Sequence, residues 1–152
     1  MATIRPATAD DITHILKLYG EQLAIDATEA EMQRNPSQDD FLRVFSEINS
    51  LPGCELIVAE EDGEVIGTTM LMIVPNLSHK ALPWAVVENV VVDEKYRRKG
   101  IGKLMMDYCE KRAEEAGCYK VQLLSNKSRK EAHEFYKSIG YEASAEGFRL
   151  YL

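Results

Sequence analysis

The segment Arg97-Arg98-Lys99-Gly100-Ile101-Gly102-Lys103 sets two glycines one residue apart among basic side chains. Glycine lets a ligand approach the backbone closely. Where such a segment opens a helix, the first-turn N–H groups have no helical acceptor and the macrodipole favours negative charge. The chemistry this combination suits is the binding of a phosphate or pyrophosphate. Two common nucleotide loops are excluded at single residues. A dinucleotide fingerprint needs a third glycine where this chain has Met105, and a Walker loop needs Gly at position 97 and Ser or Thr at position 104, where it has Arg97 and Leu104. A second chemical feature is Glu88, which with Asn89 interrupts the apolar run Ala85-Val86-Val87-Glu88-Asn89-Val90-Val91-Val92. A carboxylate in such a run needs a partner or a role. Neither the three cysteines nor His14, His79 and His133 have metal-ligand spacing, so no metal site is expected.

These residues need a strand, a loop and a helix to position them. Residues 85–92 read as a central strand, 93–99 as a loop and 100–117 as a helix. Ile101, Leu104, Met105, Tyr108 and Arg112 fall on one helical face, and Gly117 suits the stop. Upstream, residues 2–5 read as a short strand ended by Pro6. Thr8-x-x-Asp11 resembles a capping box ahead of a helix carrying Ile12, Ile15, Leu16, Tyr19 and Leu23. Residues 26–36 are acidic and read as a loop. Ser37 with Asp40 caps a second helix carrying Phe41, Val44, Phe45 and Ile48, and Pro52-Gly53 ends it. Residues 54–60 and 64–74 read as strands joined by the hairpin turn Asp62-Gly63, and residues 75–84 break the pattern. Downstream come a strand at 121–124 and a helix at 129–138 carrying Ala132, Phe135, Tyr136 and Ile139. Gly140 is its stop signal, and strands at 141–145 and 147–152 close the chain. The order β-α-α-β-β-β-α-β-α-β is an α/β mixture.

A chain of 152 residues is the size of one domain, expected here over 1–152. With 25 acidic against 18 basic residues the net charge is −7, a poor match to nonspecific nucleic-acid binding. No apolar run is long enough to span a bilayer. Cys54, Cys109 and Cys118 are an odd number, and the amino terminus lacks the apolar stretch of a secretion signal. The expectation is a cytoplasmic protein with reduced thiols.

Arg97-Arg98-Lys99-Gly100-Ile101-Gly102 resembles the R/Q-x-x-G-x-G/A motif of the GNAT acetyltransferase superfamily. The run from Glu88 to Arg97 is similar to that family's approach to the motif. Phe135-Tyr136-Lys137-Ser138-Ile139-Gly140-Tyr141 resembles its F-Y-x-x-x-G-F/Y segment, and Ile4-Arg5-Pro6-Ala7-Thr8 resembles a common opening. Among members, Glu88 through Val121 resembles glucosamine-6-phosphate N-acetyltransferases, and Ser125-Asn126 through Tyr136 resembles aminoalkylphosphonate N-acetyltransferases. The resemblance implies a mixed, mostly antiparallel sheet of six to seven strands with about four helices, and two parallel central strands splayed apart. It implies acetyl-CoA as co-substrate, its pyrophosphate on the amides of residues 98–103 beside Arg97, Arg98, Lys99, Gly100, Ile101, Gly102 and Lys103. The pantetheine arm would run along Val90, Val91 and Val92, pairing with the backbone of Val90 and Val92, with Asn126 hydrogen-bonding the arm.

The resemblance also implies direct transfer to an amine. Tyr136 matches the family's tyrosine near the coenzyme sulfur. A phenol of pKa about 10 can donate to a thiolate whose conjugate acid has a pKa of about 8.5. Glu88 matches a frequent acidic residue, the general base, and the N–H near Val90 matches an oxyanion donor. Cys109 and Cys118 have no activating histidine and read as packing residues. The loops 26–36 and 75–84 are the expected pocket walls, with Asp26, Glu29 and Glu31 able to attract a cationic amine, Lys80 or Arg129 a phosphorus oxyanion, and His79 able to touch substrate. A small-molecule amine is the expected acceptor. A protein lysine or amino terminus, or a noncatalytic acetyl-CoA-binding module, are the other readings. A homodimer is expected by family analogy, with 141–152 as its edge.

Overall fold

The computed structural model describes residues 1–22 and 27–152, which form two units, Met1–Gln122 and Leu123–Leu152. The first holds β1 (Thr3–Pro6), α1 (Ile12–Gln22), α2 (Glu29–Met32), α3 (Gln38–Ser50), β2 (Cys54–Glu61), β3 (Glu64–Val74), the single turn α4 (Ser78–Ala81), β4 (Trp84–Val92), α5 (Ile101–Glu115) and β5 (Val121–Gln122). The second holds α6 (Lys130–Ser138). The five strands lie in sequence order, antiparallel from β1 to β4, with β5 parallel to β4. This is the mixed, mostly antiparallel sheet with helices that the motifs anticipated.

Local chemistry explains most elements. Asp62 and Gly63 both take positive φ, 52° and 79°, the backbone a two-residue hairpin turn requires. At the start of α3, Asp40 N–H donates to Ser37 Oγ (3.2 Å) and Ser37 N–H donates to Asp40 Oδ2 (2.8 Å). Alternation along β2 then sorts the core. Leu56 and Val58 pack with Ile12, Ile15 and Leu18 of α1 and Phe45 of α3, whereas Ala59 packs with Ile101 and Met105 of α5. Gly67 lets α5 lie close to the sheet, since a Cβ there would sit 3.1 Å from Val91 O and 3.2 Å from Met105 Sδ.

Four sequence expectations are corrected. Residues 26–36 contain α2, because Thr28 and Glu31 form a capping box that the acidic composition concealed. The strand expected at 121–124 pairs only at Val121 and Gln122. Residues 141–152 form no strand, so the sheet has five strands rather than six or seven, and β5 is its last strand rather than a central one. Their alternating Phe148, Leu150 and Leu152 mimic a strand pattern, but a ladder needs a hydrogen-bonded partner, and these side chains are exposed. The described helices number six rather than four, the additions being the single turns α2 and α4. Leu23 and Asp26 lie outside the described residues.

Arg5 ties the opening strand to the rest. Its guanidinium donates to both Asp11 oxygens (2.7 and 3.0 Å) and through Nε to Glu60 of β2 (2.8 Å). Thr8 N–H also donates to Asp11 Oδ2 (2.7 Å). The Arg5 hydrogen bonds, joined by Thr8 against the opposing effect of burial, hold the Asp11 carboxyl at about 2. A carboxylate depressed on folding stabilises the native state above its unfolded pKa. That contribution, roughly 2 kcal/mol, is lost as pH falls from about 4 toward 2. Asp11→Asn is therefore expected to lower the melting temperature at pH 7 and to flatten the acid limb of stability over that window. Thermal melts from pH 7 to pH 2 check this, and an unchanged acid limb would contradict it.

Candidate active site

β4 carries one residue more than β3 can pair. Met70 lies opposite Glu88 and Thr68 opposite Val91, so two steps along β3 face three along β4. The extra residue makes a bulge, and Asn89 takes φ 54°, a left-handed conformation that Asn tolerates better than most side chains. Thr69 has no partner on β4 in this register, and its hydroxyl donates to the Glu88 carbonyl across the bulge (3.1 Å).

The bulge changes which way β4 points. Glu88 pairs with Met70, which packs against the α1 and α3 core, so Glu88 lies on that side and is half-buried. Val91 is buried in the same core. Val90 and Val92 instead pack with Ile101 and Met105 on the α5 side. In an unbroken strand Glu88, Val90 and Val92 would share one face. The nearly continuous apolar run is thus a strand covered on both faces with its parity reversed once.

β4 is also open along one edge. β5 pairs with it only at Ala85 and Val86, and Ala85 N–H donates to Lys120 O (3.0 Å). Among the described residues no strand pairs with that edge beyond Val86. Asp93 N–H points the other way, to Ile66 O of β3 (2.8 Å). Alternation then turns the backbone groups of Val90 and Val92 toward the open edge and those of Val91 toward β3. Arg97 Nε meets Val92 O at 3.3 Å. The splaying of parallel strands anticipated from the motif therefore takes the form of a two-pair contact followed by a bare edge.

Directly after β4 the chain turns through Glu94–Tyr96, where Asp93 accepts from Lys95 N–H (2.9 Å). Arg98 (φ 59°) and Gly100 (φ 83°) then reverse it into α5. The first helical bond runs from Leu104 N–H to Gly100 O (3.0 Å), so the amides of Ile101, Gly102 and Lys103 precede it and have no helical acceptor. Buried Ile101 pins this start to the end of β4 through Val90, Val92 and Tyr96. Arg97, Arg98 and Lys99 are exposed around it. Lys99 lies 5.0 Å from the Tyr96 ring, and Lys103 pairs with Asp107 (2.6 Å). The arrangement is a concentration of N–H donors and cations at one end of a bare strand edge, suited to a phosphorylated ligand with an extended polar arm.

On the Glu88 side, Tyr19 of α1 reaches the bulge. Burial pushes its phenol up, and polar contacts from Thr68 and Asn89 work against that rise. Tyr19 was legible in the sequence only as an apolar stripe residue, and Thr69 only as a β-former. His79 stacks on Tyr119, centroids 4.0 Å apart. Burial pushes the Cys109 thiol to about 12 and raises Cys54 and Cys118, so none is poised as a thiolate.

In the second unit, Tyr136 is buried beside Phe135 and Tyr141, and Tyr141 N–H donates to its carbonyl (3.0 Å). Asn126 Oδ1 accepts from Ser128 N–H (2.9 Å) and Oγ (2.8 Å), forming the turn that leads into α6. The Asn126 carbonyl meets His133 Nε2 at 2.9 Å. Ser125 Oγ is buried with no hydrogen-bond partner among the described residues.

The profile of the Acetyltransferase (GNAT) family matches residues 20–141. A glucosamine 6-phosphate N-acetyltransferase of Trypanosoma brucei brucei is 38% identical over 89 residues, 58% of each chain, so the match spans less than two thirds of that relative. An aminoalkylphosphonate N-acetyltransferase of Salmonella typhimurium is 28% identical over 93% of this chain and 85% of its own length. The solved structure of a putative acetyltransferase from Agrobacterium tumefaciens str. C58 superposes with a TM-score of 0.86 at 33% identity, covering 99% of both chains. The bulged, open-edged strand, the basic glycine turn and the profile spanning them agree: the chain belongs to the GNAT acetyltransferase family.

Proposed function

We propose that this protein is an N-acetyltransferase that moves an acetyl group from acetyl-CoA directly to the primary amine of a small molecule. The observation that carries this reading is the edge of β4 that no described strand pairs with beyond Val86, running into the α5 amides that have no helical acceptor. An extended arm can hydrogen-bond along the edge while its phosphates meet the helix start. The pyrophosphate contacts belong to the amides of Ile101, Gly102 and Lys103, with Arg97, Arg98 and Lys99 supplying charge. Val90 and Val92 offer backbone groups to the arm, and Val91 anchors the strand in the core. Asn126 is a further group for the arm in this reading. The whole chain 1–152 acts as one GNAT domain in this reading, supported by a family profile that draws on residues of both units.

Acetyl-CoA, when bound, supplies a thioester activated toward an amine. Glu88 takes the ammonium proton, directly or through water, from the α1 and α3 side of the sheet. The Val90 N–H stabilises negative charge on the carbonyl oxygen. Tyr136 returns a proton to the departing sulfur. Direct transfer is supported by the three cysteines, whose thiols burial keeps protonated.

Two of the named relatives are N-acetyltransferases of glucosamine 6-phosphate and of aminoalkylphosphonates, which supports an acceptor of that class with Lys80 or Arg129 as its oxyanion partner. We further propose a cytoplasmic location, supported by three unpaired cysteines. No helix among the described residues is long and apolar enough to cross a membrane. A homodimer is supported by the exposed Phe148, Leu150, Tyr151 and Leu152, which a second copy would cover.

Three outcomes test this reading. Gly102→Glu sets a carboxylate against the pyrophosphate while suiting the helix dipole. It should weaken acetyl-CoA binding roughly 10- to 100-fold in calorimetry with the fold retained, and unchanged binding sinks the donor site. In a thiol-release assay across an amine panel including glucosamine 6-phosphate and aminoalkylphosphonates, Tyr136→Phe and Glu88→Gln should each lower kcat by roughly 100-fold with a smaller change in KM. Tight acetyl-CoA binding without turnover on any amine or peptide would identify a binding module instead. Finally, sedimentation should give a dimer that Phe148→Asp with Leu150→Asp converts to monomer, and a monomeric parent rules the dimer out.

A further inference from the structure

We propose that Thr69 is a positioning residue: its hydroxyl latches the β4 bulge so that the amides of Val90 and Val92, rather than those of Asn89 and Val91, face the open edge. The inference rests on the donor-site reading above and adds a residue to it.

The register supplies the argument. Regular pairing continued from Met70–Glu88 would set Thr69 opposite Asn89 and Thr68 opposite Val90. Every second residue from Ala85 onward would then face the open edge, bringing Asn89 and Val91 there. The observed pairing instead sets Thr68 opposite Val91. Two registers of one strand thus present different amides to the same edge. Only the bulged one brings Val90 and Val92 there and buries Val91 with α1 and α3.

Thr69 is the residue of β3 that this choice leaves without a partner on β4. It is fully buried, at 0% exposure, and valine has nearly the same shape as threonine. What threonine adds is the hydroxyl, which donates to the Glu88 carbonyl at 3.1 Å, immediately before the extra residue. A buried hydroxyl left without that bond is unfavourable, so the bond favours the register in which it forms. The neighbouring Thr68 is a comparison. It is equally buried, but its hydroxyl donates to Ile57 O of β2 (2.9 Å) and meets the Tyr19 phenol, rather than bonding the Glu88 carbonyl.

The test reads backbone amides by heteronuclear NMR while acetyl-CoA, or coenzyme A without the acetyl group, is titrated into the full chain. In the parent, the Val90 amide proton should move further downfield with acetyl-CoA than with coenzyme A, and the Gly100–Lys103 amides should respond to both. In Thr69→Val the difference at Val90 should be lost while the Gly100–Lys103 response remains. Thr69→Ser should restore it, and Thr68→Val should keep it. Should valine prevent folding, Thr69→Ala gives the same readout. A Thr69→Val protein that keeps the Val90 difference overturns the latch. So does Thr69→Ser behaving like Thr69→Val, or loss of the Gly100–Lys103 response together with that of Val90. A parent in which acetyl-CoA moves neither set of amides overturns the donor-site reading and the latch with it, which separates the two failures.

Discussion

A strand in a mixed sheet must satisfy its neighbours on two edges and its core on two faces, and β4 meets these demands with one surplus residue. Its outer edge pairs with β5 at Ala85 and Val86, and no strand among the described residues pairs with that edge beyond them. Before the bulge Glu88 turns to the α1 and α3 core; after it, Val90 and Val92 turn to α5. Shifting the pairing by one residue would move the valines to the wrong core and the carboxylate with them. Side-chain packing on both faces therefore guards the register, and Asn89 absorbs the left-handed backbone that the surplus residue imposes.

The same constraint separates the two halves of the proposed reaction. In the proposed reaction the edge of β4 and the amides of Ile101, Gly102 and Lys103 would serve the donor, where cations gather in a chain that is acidic as a whole. Glu88 and Tyr19 lie on the α1 and α3 side of the sheet. A donor lying along the edge and an acceptor arriving from that side would meet where the bulge sits. Gly67 contributes from beneath, because α5 can approach the strand only where β3 carries no side chain. Arg5, bound to Asp11 and Glu60, fastens β1 and the start of α1 to β2. It thereby supports the layer on which Tyr19 is carried.

Much of this was legible in the sequence, because it depends on neighbours a few residues away. The glycine turn, the Asp62-Gly63 hairpin, the Ser37 cap and the amphipathic helices each follow from spacing and backbone preference. Two motifs at the right separation were enough for the family. The acidic stretch 26–36 shows the limit from one side, since its Thr28–Glu31 cap is a local signal that was masked by composition. The terminal residues 141–152 show it from the other, since alternation describes a strand but cannot provide its partner.

What the sequence by itself determined is the chemistry available: a basic glycine turn for phosphates, and a carboxylate and a phenol on elements of known type. Tertiary structure decided the rest. That Glu88 and Val90 belong to opposite faces, that Thr69 faces a gap in the ladder and that no described strand pairs with the outer edge of β4 beyond Val86 follow from pairing with β3 and β5. Those partners lie many residues away, and one extra residue against a neighbouring strand reverses the direction of every side chain that follows. Periodicity within a single strand carries no record of that count, so the geometry of the site became readable only when the strands were set side by side.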